Sequence, residues 1–413
     1  MNATRQLHDL GQRLWLDNIT CGLLTSGTLS RYIREFSVTG LTSNPTIFDQ
    51  AIEGTGLYDD AIRKKANDGK SGEDLFFELA LEDLTQAADL FRPIHDATFG
   101  VDGWVSLEVS PMLAGDTPGT IKAAARLHAR AHRPNLFIKI PGTPEGLPAI
   151  EESIFAGVPV NVTILLSCQQ YLAAAEAYQR GIERRIAAGL DPKVASVASL
   201  FVSRWDNAVS GTGLSESSKQ LNTARARSIY RVDRDAGIDP QIAAVMAMSD
   251  SRGDDTVSGY LPADLRNRLG IAIAQRTYRA YRELLASPRW HKLAAIGARP
   301  QRLLWASTGT KDPQAPDTLY VKALAAPDTI DTMPEKALRA FAAHGELKGA
   351  MAADGGDCEA VLARFADNGI DIDALAQQLQ HDGAQAFVKS WKELLASIAS
   401  KSAALAGASK ESV

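Results

Sequence analysis

NLFIKIPGTPEGLPAI occupies residues 135–150 and carries a charge where charge is least expected. Lys139 lies inside an apolar run. If that run is a strand, its two-residue alternation puts Phe137 on the lysine's face and Ile138 and Ile140 on the other. A strand apolar on both faces belongs to a sheet covered on both sides, so the lysine either points into the lumen of a closed sheet or is badly misplaced. Burial disfavours the charged form of an amine and so frees its lone pair for attack on a carbonyl carbon. Two plainer readings stand beside this one: a lysine that snorkels to a rim, or one that pairs with a carboxylate for structural reasons.

Outward from this stretch, short apolar runs alternate with longer helical patterns, which is the signature of βαβ units and a parallel sheet. Eight runs read as strands: residues 13–19, 37–43, 103–109, 136–141, 158–166, 194–202, 302–308 and 318–323, the last two with the weakest pattern. Residues 74–90 (DLFFELALEDLTQAADL) place apolar side chains at three- and four-residue intervals. Residues 118–130 follow Thr117, a good N-cap with Pro118 in the first turn, and residues 169–188 form another amphipathic stretch. Right-handed crossovers would set these helices outside the sheet. The expected architecture is a single α/β domain over residues 1–413, a (β/α)8 TIM barrel with extra helices. One elaboration is an insertion over 205–269, before the seventh strand, holding a helix or two and a mobile loop with GTGLSESSKQ and SDSRGDD. The other is a helical, Ala-rich C-terminal extension over 334–413.

Composition narrows the function classes. Of 413 residues, 45% are hydrophobic and 23% charged, close to the norm for ordinary soluble proteins. A net charge of −5 gives no general attraction to nucleic acid or an anionic membrane, so any cations for a phosphorylated ligand must be local. Cys21, Cys168 and Cys358 are far apart, odd in number and without C-x-x-C spacing, which argues against both a disulfide framework and a thiolate metal site. A reducing, cytoplasmic setting is expected, since no leader-like start or long uninterrupted apolar run is found.

Barrel active sites form at the C-terminal ends of the strands, so polar residues ending apolar strands are the candidates. Asp17 ends the first in RLWLDNI and Glu108 the third in GWVSLEVSP. Singly, each could be a carboxylate capping a following loop or helix; with Lys139 they make three ionisable groups at the ends of three apolar strands. Burial and like charge would separate the two carboxyl groups' proton affinities. Asn44 closes the second strand in GLTSNPTIF, and Asn161 and Thr163 share a face of the fifth in VNVTILLS. The sixth strand ends SLFVSRWD, offering Ser199, Phe201 and Arg204, and the seventh leads into WASTGTKDP, with Ser307, Thr308, Gly309 and Lys311. Loops there commonly bind phosphate in barrels, although STGTK also reads as a simple turn.

Seven blocks in one order, WLDNI, GLTSNPTIF, SLEVSP, FIKIPGTPEGLPAI, VNVTILLS, SLFVSRWD and WASTGTKDP, resemble the transaldolase family, and its longer bacterial branch more than the shorter enzymes. The resemblance runs from about Trp15 to Glu335. It implies that Lys139 forms an imine with a ketose, that Asp17 assists proton removal during carbon-carbon cleavage, and that Glu108 acts with a bound water. It implies further that Asn44, Asn161, Thr163 and Ser199 hold the dihydroxyacetone unit or that water, and that Arg204 binds phosphate. Phe201 matches the aromatic residue near Ser199. Shorter members carry an Ala-Ser-Phe-Arg-like segment after the seventh strand, where this chain reads ASTGTK; Ser307 aligns and Lys311 stands as the cationic replacement. The implied activity is transfer of dihydroxyacetone between phosphorylated sugars in the pentose phosphate pathway, by a monomer or homodimer, with no cofactor, metal, nucleic acid or membrane partner.

Two rivals are a fructose-6-phosphate aldolase-like enzyme, which releases dihydroxyacetone, and a non-catalytic phosphosugar-binding barrel. Aldolases of that type tend to lack the glutamate and the aromatic residue that Glu108 and Phe201 match here. His128 and His132 have clip spacing but lack H-E-x-x-H and a third ligand, and GKS at 69–71 lacks the glycine a P-loop needs at position 64.

Overall fold

The computed structural model describes residues 2–210 and 261–411. Eight parallel strands close in sequential order: β1 (Arg13–Asp17), β2 (Val38–Thr42), β3 (Val105–Glu108), β4 (Leu136–Pro141), β5 (Val160–Leu165), β6 (Ser196–Phe201), β7 (Gln301–Ala306) and β8 (Ile330–Met333). The ring shuts where β1 pairs with β8, Arg13 opposite Ile330 and Leu16 opposite Met333. Every residue of β2 to β6 and of β8 is buried, as a sheet with side chains inside and helices outside demands.

The eighth strand is not where the sequence pattern put it. Residues Leu319–Ala323 form a short helix, and the strand is the four-residue IDTM further on. TLYVKA has the β-branched and aromatic residues that favour strands, whereas IDTM carries a central carboxylate that reads as polar. Asp331 is nevertheless fully buried, and the Thr308 hydroxyl donates to its Oδ1 at 2.8 Å. Of the other seven runs, 136–141 matches β4 at both ends and the rest differ from the observed strands by at most two residues at either end.

The helices follow their periodicity. Residues 74–90 lie within Gly72–Ala97, which continues past Pro93. The helix Thr117–Ala131 is capped by Asp116 and not by Thr117: the Asp116 side chain accepts from the Gly119 amide at 2.9 Å, and Thr117 is the first helical residue. Cys168–Ala187 starts with a reciprocal capping box between Ser167 and Gln170.

Inside the barrel, below Lys139, Phe137 stacks on Trp104 at 4.1 Å and lies 6.1 Å from Trp15, so aromatic rings plug the N-terminal end. Gly40 lets the chain pass these rings, because a Cβ there would sit 2.6 Å from the Trp104 carbonyl oxygen and 2.7 Å from the Trp15 indole. A plugged floor leaves the other end as the place for a cavity.

Of the expected 205–269 insertion, GTGLSESSKQ and SDSRGDD lie outside the described residues. Its flanks are the helices Ser203–Val209 and Leu269–Leu285. Asp206 joins them, accepting from the Leu269 and Gly270 amides at 2.9 and 3.2 Å and from the Tyr320 hydroxyl at 2.8 Å. The C-terminal extension holds the helices Glu335–His344, Cys358–Asp367 and Ile372–Glu411. The last packs along Pro45–Gly54, Asp59–Asn67 and Gly72–Ala97. Trp391 anchors it: its ring meets Phe76 edge-on at 4.9 Å, and its indole N–H donates to Glu73 at 2.8 Å. No helix among the described residues is long and apolar enough to cross a membrane.

Candidate active site

Strand register sets the site. Glu108 lies opposite Lys139 and Lys139 opposite Asn161, so three polar residues from β3, β4 and β5 share one level of the lumen. Asp17 lies opposite Thr42 on the neighbouring pair. Lys139 is only 5% exposed, and its Nζ donates to the Ser43 carbonyl at 3.0 Å and to Glu108 Oε2 at 3.3 Å. The lysine thus faces the lumen and pairs with a carboxylate at once, without snorkelling to a rim.

Glu108 is buried and Asp17 half-buried, and loss of solvation pushes both carboxyl groups above the usual range. The Lys139 charge pulls each back, and at Asp17 the Thr42 hydroxyl and Asn44 amide act the same way. The Asp17 charge raises Glu108 further. The two acids and the amine therefore form one electrostatic unit, in which a proton moved at one group changes the others.

Around this unit is a cavity of about 300 Å³. Of the residues singled out from the sequence, Asp17, Asn44, Lys139, Thr163, Ser199, Phe201, Arg204, Ser307, Gly309 and Lys311 line it. Glu108 reaches it through Lys139. Asn161 is fully buried beside it, donating to the Ser106 hydroxyl at 3.1 Å and accepting from the Ser199 hydroxyl at 2.7 Å. Thr163 presents a buried hydroxyl with no hydrogen-bond partner among the described residues. Asn44 also caps the helix Pro45–Gly54. Thr308 belongs to the packing between β7 and β8 and not to the cavity wall.

Arg204 follows β6, with its guanidinium 5.0 Å from the Phe201 ring and no ion pair to any described carboxylate. Ser307 adopts a left-handed backbone (φ 57°) at the end of β7, its hydroxyl 2.9 Å from that of Ser203. Lys311 reaches the wall from the loop beyond. A half-buried arginine with no ion pair among the described residues and a second cation on the same cavity wall suit an anionic group.

The sequence pattern missed part of the wall. Thr42 and Thr332, whose hydroxyls lie 2.7 Å apart, line the cavity beside Asp17. Ala386, Phe387 and Ser390 line it from the C-terminal helix. Thr42 stands two residues before Asn44, so strand alternation counted back from the asparagine is the signal that could have found it. Thr332 was lost with the misplaced strand.

No group of three or more His, Cys, Asp or Glu side chains among the described residues could hold a metal ion. The chain matches the family described as Transaldolase/Fructose-6-phosphate aldolase over residues 14–398. It belongs to that family. Proteins named Transaldolase are similar along nearly the whole length: one from Acidothermus cellulolyticus is 41% identical over 402 residues, covering 95% of each chain. One from Arthrobacter sp. is 40% identical over 418 residues, covering 99% of each. One from Thiobacillus denitrificans is 39% identical over 406 residues, covering 96% of this chain and all of the relative. In this family member the Lys139 cavity opens at the strand ends that the fold reserves for chemistry.

Proposed function

We propose that the chain is a transaldolase, moving a dihydroxyacetone unit from a ketose phosphate, sedoheptulose 7-phosphate or fructose 6-phosphate, to an aldose phosphate, glyceraldehyde 3-phosphate or erythrose 4-phosphate. This is an exchange of the pentose phosphate pathway, placed in the cytoplasm. The observation that carries the reading is a buried primary amine in a cavity, bonded to Glu108 and sharing the cavity wall with Asp17, two carboxyl groups whose proton affinity is raised.

Lys139 Nζ adds to the ketose C2 carbonyl, and loss of water gives the iminium, with Glu108 moving protons through a water. The iminium draws the electrons of the C3–C4 bond as it breaks, leaving an enamine on Lys139. Asp17 takes the proton of the C4 hydroxyl as that oxygen becomes the carbonyl of the departing aldose phosphate. The enamine then attacks the acceptor aldehyde, whose oxygen recovers the proton, and hydrolysis at C2 frees the new ketose. The electron sink is the iminium itself, so the sequence of steps needs no cofactor. Asn44, Asn161, Thr163 and Ser199 hold the three-carbon unit or the water, and Phe201 bounds that end of the cavity.

Arg204 binds the phosphate, with Ser307 and Lys311 completing the anion site. Arg204→Leu is expected to raise KM for phosphosugars by about 10- to 100-fold while kcat changes much less. Steady-state kinetics on both substrates checks this, and an equal fall in kcat would remove Arg204 from the binding role. For the central proposal, fructose 6-phosphate and borohydride should fix a three-carbon adduct on Lys139, read by peptide mass mapping. An unmodified Lys139 under turnover conditions sinks the Schiff-base reading.

A further inference from the structure

The last helix, Ile372–Glu411, does more than cover the barrel's flank. Gln380, Gly383, Phe387 and Ser390 recur at three- and four-residue intervals and so lie along one helix face. Each meets the mouth of the barrel. The buried Gln380 amide donates to two carbonyl oxygens, Gly142 and Ile164, both at 3.0 Å. Gly142 directly follows β4, and Ile164 lies in β5 with a left-handed backbone (φ 59°), where the pairing with β6 slips. A β-branched residue in that conformation is strained, and the Gln380 bond satisfies the carbonyl that the slipped ladder leaves over. A Cβ on Gly383 would meet Ile164 at 3.0 Å and Arg204 at 3.5 Å, so the helix approaches as closely as a glycine allows. Ser390 accepts from the Thr46 hydroxyl at 3.0 Å. Between these fixtures Phe387 lines the cavity with its ring centroid 5.9 Å from Lys139 Nζ.

Carbons added to Nζ come up against that ring, which offers a solvating water no polar partner. The enamine on Lys139 has two fates. In transfer, its C3 attacks an aldehyde. In release, C3 takes a proton instead, water adds to C2, the C2–Nζ bond breaks, and free dihydroxyacetone leaves. Both paths end with hydrolysis at C2; they part at C3, which takes a proton from water in release and an aldehyde in transfer, so transfer is favoured where water is kept from the enamine.

We propose that Phe387 is a specificity-determining residue that shields the enamine on Lys139 and so favours transfer over release, with Gln380 as the residue that positions it. This rests on the transaldolase reading above. The test uses the full chain with fructose 6-phosphate, with and without erythrose 4-phosphate, measuring free dihydroxyacetone, sedoheptulose 7-phosphate and borohydride trapping on Lys139. Phe387→Ala should raise the ratio of release to transfer about tenfold with trapping intact, and Phe387→Leu, which keeps an apolar wall, should stay within about threefold of the unaltered chain. Gln380→Met, which keeps the ring but loses both bonds to the strand ends, should move the ratio in the same direction by less. A ratio unmoved in Phe387→Ala and in Gln380→Met, or release and transfer falling together, overturns the proposal. If the unaltered chain forms no adduct the transaldolase reading fails; if it does and the ratio stays put, only the shielding role fails.

Discussion

Lys139→Met is expected to lower kcat/KM by a factor on the order of 10⁵, because it removes the atom that becomes covalently bonded to substrate. Methionine fills similar space, so the apolar part of β4 stays packed, and the loss falls on chemistry. Retained turnover, measured by coupled assay at saturating substrate, would end the Schiff-base account. The same substitution has a second signature in stability. Burial already raises Glu108 above its ordinary value of 4.5, and the Lys139 charge opposes this. Without that charge the carboxyl is raised further, so the folded variant keeps a proton that the unfolded chain gives up. Its contribution to stability is therefore intact below pH 4.5 and is lost as pH rises through the raised folded value. Thermal melts across pH should show that decline reaching higher pH in Lys139→Met than in the unaltered chain.

Asp17→Asn is expected to cut kcat by about 10²- to 10³-fold while borohydride still traps the imine. An amide keeps the shape and the contact with Thr42 but cannot take the C4 hydroxyl proton. Because burial lifts the Asp17 carboxyl above the usual range, the activity of the unaltered chain should fall with decreasing pH before an ordinary aspartate would protonate. The variant's residual activity should lack that acid limb. Trapping lost along with turnover would place Asp17 in imine formation instead of bond cleavage.

Much of this architecture is legible in the sequence, for physical reasons that also explain the misses. β2 and β4 to β6 carry long apolar or β-branched interiors because both faces are buried, and such runs are hard to mistake. β8 has four residues and an aspartate bonded to Thr308, a partner 23 positions away that no local pattern reveals. The strand-end residues were findable because alternation assigns a side chain to the lumen from its neighbours alone, as with Lys139 between Ile138 and Ile140. Phe387 and Gln380 were not. Their helical spacing is visible, but spacing marks only a face, and Gln380 meets its partners 216 and 238 positions back along the chain. What a helix face touches is a matter of tertiary placement.

That long reach has a consequence for the order in which the molecule is made. A ribosome delivers all eight strands, the last ending at Met333, before it delivers Gln380. Until then the slipped ladder at Ile164 has no clamp, and the amine of Lys139 has no ring above it. The shielding proposed for Phe387 thus depends on the part of the chain made last, and is complete only when that helix leaves the exit tunnel and seats.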